Sequence, residues 1–194
     1  EASTWFAQVQ SEPGAYQDAA RYYYHYALYM NQEYDTALRG FGELVDNKEF
    51  GESARYNMTQ IHYLNGNWEE AISLASGLVD GGTSEQQTEM SRILGDSYFR
   101  MGRYAEAVPY FERYRRGTRA MTLSEHYALG YSYFKTDQLK EAVSELELAS
   151  SGEDQLAQSA NHLLGTVLIR LDDKMRARSA LSKAASLRFD AGIR

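Results

Sequence analysis

The chain is predicted to fold as an all-α array of helical hairpins, and three observations carry that reading. Apolar residues recur at offsets of three, four and seven, the spacing of one helical face, and no alternating period of the kind strands need appears. Only two prolines interrupt 194 residues. The same apolar ladder also returns at a fixed interval. Its alanines Ala37, Ala71, Ala107, Ala142 and Ala177 stand 34, 36, 35 and 35 residues apart. One hairpin is repeated five times.

Residues 1–15, with Trp5, Phe6 and Val9, read as the second helix of a truncated preceding repeat, ended by Pro13-Gly14. The array proper is expected over 16–194, with hairpins at about 16–48, 50–82, 84–117, 121–151 and 153–187. Tyr22, Tyr23, Tyr24, Tyr26 and Tyr29 crowd the first helix and are too many for one core stripe. In the second hairpin Asn67 and Glu70 have capping-box spacing, and Gly81-Gly82 suits a helix end. Ser84 with Gln87, and Thr122 with Glu125, repeat the capping signal at the next two starts. The third hairpin runs through Leu94-Gly95, Tyr98, the turn at Gly102, and the ladder Tyr104, Ala107, Val108, Phe111 and Tyr114. Pro109 removes one backbone donor inside that ladder. The fifth hairpin has Asp172-Asp173 in place of the turn glycine, and its apolar tail through Leu187, Phe189 and Ile193 suggests a piece cut from a longer array. Gly95, Gly130 and Gly165 are placed to let paired helices approach closely.

Composition narrows the function classes. A net charge of −7 disfavours a nucleic-acid partner, which needs a concentrated basic surface. The one basic run, Arg113, Arg115, Arg116 and Arg119, reads as a helix end whose cations suit the dipole. Without cysteine there is neither a disulfide nor thiolate chemistry. No nucleophile elbow, phosphate-cradling glycine loop or His-Glu-x-x-His is present. His25, His62, His126 and His162 fall at the repeat interval, not at metal-ligand spacing. Neither catalysis, a metal nor a cofactor is expected.

The period, with Leu94-Gly95…Tyr98, Leu129-Gly130…Tyr133, Gly66-Asn67-Trp68…Ala71 and Gly102-Arg103-Tyr104…Ala107…Phe111, resembles the tetratricopeptide repeat (TPR) family over about residues 18–190. That resemblance implies a right-handed superhelical solenoid, used as a scaffold for protein–protein contacts. The tyrosine-rich first helices and the Gly66-to-Ala71 turn are also similar in texture to TPR arrays of Bacteroides-like bacterial envelope proteins, implying a periplasmic or outer-membrane-associated setting.

Carried over by motif register, the first-helix face that lines the groove in TPR proteins is Tyr22, Tyr26 and Tyr29, then Tyr56 and Gln60, then Arg92, Asp96 and Arg100, then Tyr127, Tyr131 and Lys135. Phe99, Phe134, Tyr63 and Arg170 fall on the same register. Tyrosine and arginine combine large contact area with a polar tip, the composition of binding hot spots. A lysine/asparagine carboxylate clamp is absent, since Tyr22, Tyr26, Gln60, Glu89 and Ile93 occupy its positions. The expectation is a non-enzymatic scaffold holding a peptide or helix of a protein partner, acidic where it meets the cations. A carbohydrate- or peptidoglycan-binding module and a structural spacer that self-associates through its ends are the alternatives.

Overall fold

The computed structural model describes residues 16–190 and 192, so the helix expected over 1–15 lies outside the described residues. Ten α-helices and no strands occur among them. They are α1 (Gln17–Met30), α2 (Tyr34–Gly42), α3 (Gly51–Leu64), α4 (Trp68–Leu78), α5 (Ser84–Arg100), α6 (Tyr104–Gly117), α7 (Leu123–Lys135), α8 (Leu139–Ala149), α9 (Gln155–Arg170) and α10 (Lys174–Leu187). Successive pairs form hairpins. The chain divides into two compact units, one up to Ile93 and one from Leu94, with the boundary inside α5.

The five hairpin turns share one backbone design. Gln32, Gly66, Gly102, Asp137 and Asp172 all have positive φ, between 59° and 75°. The next residue's N–H then donates to a carbonyl five positions back, as in Glu33 to Leu28, Arg103 to Tyr98 and Asp173 to Leu168, each at 2.9 Å. This is a helix-ending left-handed turn that satisfies orphan carbonyls. Glycine meets its conformational demand without strain at only two of the five positions. A non-glycine residue there costs about 1–2 kcal/mol, against roughly 0.5–1 kcal/mol of extra chain entropy for glycine. Asp137 and Asp172 also hold ion pairs, to Arg170 at 2.6 Å and Lys174 at 3.1 Å, so Gln32 is the clean test position. Gln32→Gly should raise stability by about 0.5–1 kcal/mol in thermal or urea unfolding. A lower melting temperature would contradict this reading of the turn.

In the unit up to Ile93, Leu28, Ala37, Phe41, Leu44, Ala54 and Ile61 form the core, with Tyr22, Tyr24, Tyr29, Tyr34, Leu38 and Met58 packed on it. His25 occupies the position that Gly95, Gly130 and Gly165 hold in later hairpins, and the missing bulk has moved across to α2. A Cβ on Gly40 would come within 2.0 Å of the His25 ring. Burial lowers the His25 pKa, and its Nδ1 is buried without a hydrogen-bond partner. Asn47 closes the α2–α3 loop by accepting from the Glu49 and Phe50 N–H groups while donating to Asp18 at 2.7 Å.

From Leu94 onward the expected close approaches are present. A Cβ on Gly95 would meet Phe111 at 2.9 Å, on Gly130 Leu146 at 2.9 Å, and on Gly165 Leu181 at 2.5 Å. The ladder alanines Ala107, Ala142 and Ala177 are buried beside them, as are Leu94, Leu129, Tyr133, Leu146 and Leu168. Two buried polar groups tie elements together. Glu145, on α8, has a side chain only 5% exposed and accepts from Arg115 at 2.6 Å, while His126 Nδ1 lies 2.7 Å from its other oxygen. Gln158 donates to the carbonyls of Ala184 and Asp190 and accepts from the Asp190 N–H at 2.7 Å, fixing the segment after α10.

The capping expectations separate. Thr122 and Glu125 form a complete capping box. The predicted box at Ser84 and Gln87 sits one residue earlier, where Thr83 and Gln86 exchange bonds, because the helix begins at Ser84. Asn67 caps nothing with its side chain. The N–H that Glu70 would have accepted donates to the His62 carbonyl at 2.9 Å, and the Asn67 amide lies 3.4 Å from His62 Nδ1. Asp173 caps α10 by accepting from the Arg176 N–H at 3.1 Å, which gives the acidic turn of the fifth hairpin a purpose.

Candidate functional site

In the first unit the predicted face is an aromatic run along α1. Tyr22 and Tyr26 stack with centroids 6.3 Å apart, and Tyr26 meets Tyr29 at 6.1 Å. Tyr26 is exposed, whereas Tyr22 is partly drawn into the packing. Tyr22 stacks on Phe50 at 5.1 Å, and its hydroxyl accepts from the buried Asn57 amide at 2.9 Å. Tyr29 leans on Tyr34 at 6.1 Å. Tyr56 and Gln60 are half-buried on α3. Burial raises the phenol pKa of Tyr22, Tyr29 and Tyr56, so all three are neutral donors and acceptors at ordinary pH.

Arg92, expected to meet an acidic partner, already has one in its own helix. Glu89 takes its Nε and Nη2 in a two-pronged pair at 2.9 and 2.7 Å, and Nη1 donates to the Tyr63 hydroxyl at 3.2 Å. Its guanidinium also lies 4.9 Å over the Tyr63 ring. The carboxylate beside it raises its pKa further. The Glu89–Arg92 spacing of three residues is legible as a helical ion pair, and that signal was available in the sequence.

In the second unit the predicted residues gather around one ring. Tyr131 lies 5.3 Å from Tyr104, 5.9 Å edge-on to Phe99, 6.1 Å from Tyr127 and 6.4 Å from Phe134, measured between centroids. These side chains come from the end of α5, the start of α6 and the middle and end of α7. All five rings are partly exposed, so together they make a half-buried aromatic platform. Burial and the neighbouring Tyr131 raise the Tyr104 and Tyr127 pKa values, keeping those phenols neutral. Lys135 Nζ stands 5.4 Å from the Tyr131 centroid and 5.9 Å from that of Tyr104. Arg170 lies 5.6 Å from the Phe134 centroid while paired with Asp137. Arg100 pairs with Asp96 at 3.2 Å one turn away. Tyr104, which the sequence places in the second-helix core ladder, is the member that closes the platform; its position after the Gly102 turn brings it back against the first-helix face.

No group of three or more His, Cys, Asp or Glu side chains among the described residues is placed to hold a metal ion. No helix among them is long and apolar enough to cross a membrane.

A family model described as tetratricopeptide repeat matches residues 78–122 and, overlapping, 94–155. These residues are tetratricopeptide repeats. Solved TPR structures extend the likeness of fold across the chain. YrrB, titled a TPR protein with an unusual peptide-binding site, superposes with a TM-score of 0.76 at 16% identity, covering 100% of this chain and 95% of that one. MamA residues 41 to the end from Desulfovibrio magneticus RS-1 give 0.64 at 16% identity, covering 96% and 95%. MamA AMB-1 gives 0.72 at 13% identity, covering 92% and 95%. At these identities the TPR likeness concerns the fold. No curated protein matches the sequence.

Proposed function

We propose that this TPR chain is a non-enzymatic interaction module that binds a peptide or helix of a protein partner on its first-helix face. The platform centred on Tyr131 is the principal anchor, and that cluster is the observation that carries the reading. Five partly exposed rings from three helices offer a large preformed contact area, and the phenol hydroxyls can bond a peptide backbone. A peptide-binding site in the structurally similar YrrB supports the same use of the fold. Electrostatic selection shifts from Arg92 and Arg100, which carry their own carboxylates, toward Lys135 at the platform's edge. Tyr26 and Tyr29 form a further anchor in the first unit. The texture of the tyrosine-rich helices supports a place in a larger bacterial envelope protein.

Selection of ligands from a random peptide library, followed by calorimetry, tests this directly. Tyr131→Ala should weaken the selected peptide by about 2 kcal/mol or more, roughly thirtyfold, with helical circular dichroism unchanged. Lys135→Glu should slow association and flatten the salt dependence. Affinity that is indifferent to both changes would remove the platform from the account.

A further inference from the structure

The first hairpin is closed over a titratable ring. His25 stands on α1 where later hairpins have glycine, and its ring lies so close over Gly40 of α2 that a Cβ there would meet it at 2.0 Å. Tyr24 meets the ring edge-on at 5.1 Å and Phe41 does so at 6.2 Å, measured between centroids. Its Nδ1 is one of two buried side-chain polar atoms without a hydrogen-bond partner among the described residues, the other being Ser97 Oγ. His126 Nδ1, by contrast, lies 2.7 Å from Glu145 and has a carboxylate to receive an N–H.

This setting treats the two protonation states of His25 unequally. The neutral ring carries one N–H, which can sit on Nε2, and then leaves Nδ1 as an unused acceptor. The imidazolium carries an N–H on both nitrogens, so its Nδ1–H is buried with nothing to accept it. An unpartnered charge inside a helix contact costs far more than an idle lone pair. Turning the ring out to solvent is no remedy, because it empties the space over Gly40. Burial holds the ring below its ordinary value of 6.5; Glu43, just past the end of α2, opposes it, and Arg21, one turn back on α1, adds to it.

We propose that His25 makes the α1–α2 hairpin an acid-opened element, closed around the neutral ring and loosened when the ring takes up a proton. The unfolded chain binds that proton at the ordinary value of 6.5, and the closed hairpin binds it only at lower pH. Closure is therefore at full strength above 6.5 and weakens as pH falls below it, until the value of the closed state is passed. Because α1 also carries Tyr26 and Tyr29, acid takes apart the first-unit anchor. That consequence rests on the proposed function, whereas the opening itself does not.

The whole, unaltered chain is followed by NMR. The His25 ring resonances should titrate with a midpoint below 6.5. Amide-exchange protection at Leu28, Ala37 and Phe41, corrected for the intrinsic effect of pH, is compared with that of the buried Leu129 and Leu164 in the other unit. It should fall about threefold or more relative to them between about pH 7.5 and about pH 5.5. His25→Phe keeps a ring over Gly40 without a titrating nitrogen, and in it the acid loss at those amides should disappear. A midpoint at or above 6.5, or an equal acid loss in His25→Phe, would overturn the proposal. If that variant does not fold, the ring titration of the unaltered chain decides. A hairpin that opens in acid while no library peptide shifts Tyr26 supports the inference and counts against the anchor, so the two readings fail separately.

Discussion

Phe111→Ala should lower unfolding stability by about 3–5 kcal/mol, the largest effect expected of any single change here. Phe111 is fully buried and its ring fills the space left by the absent side chain of Gly95, whose Cβ would stand 2.9 Å away. Truncation removes the ring's transfer free energy and leaves a cavity between two helices whose backbones cannot close on it. Gly95→Ala is the reverse insult. It overpacks the same contact by about 1–3 kcal/mol, because the nearest atoms belong to a ring held on all sides rather than to a flexible chain end. The two changes should couple: Phe111→Leu/Gly95→Ala should be more stable than the sum of its single losses predicts. Chemical unfolding of the four proteins measures this cycle. Strict additivity would mean that the two residues do not share the contact.

Glu145→Ala should cost about 2–3 kcal/mol. The carboxylate is 5% exposed and serves Arg115 on one oxygen and His126 on the other, so its removal strands a guanidinium and an imidazole at once. Breaking a buried pair by removing one member costs more than this in general, but the Arg115 side chain is 46% exposed and water recovers part of the loss. Glu145→Gln, which keeps one acceptor oxygen for Arg115, should fall between the parent and Glu145→Ala. The loss is read from urea midpoints, and one below about 0.5 kcal/mol would place this cluster with ordinary surface pairs.

Much of the fold is legible in the sequence because each repeat tests the same pattern again. The alanines of the ladder and the glycines Gly95, Gly130 and Gly165 are small where two helices touch, and such a constraint has a spacing that can be read. The left-handed turn is legible where glycine occupies it, at Gly66 and Gly102. It is hidden at Gln32, Asp137 and Asp172, where backbone bonding enforces a conformation that the side chain does not announce. The first hairpin departs from the glycine pattern because His25 and Gly40 exchange large for small across the contact, and such a swap leaves no periodic signal.

For the candidate site, motif register locates Tyr127, Tyr131 and Lys135, but it says nothing of which ring sits at the centre. That depends on Tyr104 folding back after the Gly102 turn, a contact between elements. Charge type alone offers Arg92 and Arg100 to a ligand, whereas their geometry gives each a carboxylate of its own. The arginine run after Phe111 looks like a uniform helix end, and only the fold commits Arg115 to the buried Glu145.

The measurement that most directly tests the central claim is a tyrosine-resolved titration with the tightest peptide from library selection. The ring resonances of Tyr104, Tyr127 and Tyr131 should shift together and saturate with the calorimetric affinity, while those of Tyr98 and Tyr110 stay in place. Saturating shifts at Tyr98 and Tyr110 with a silent Tyr131 would contradict the claim that the first-helix platform is the principal binding surface.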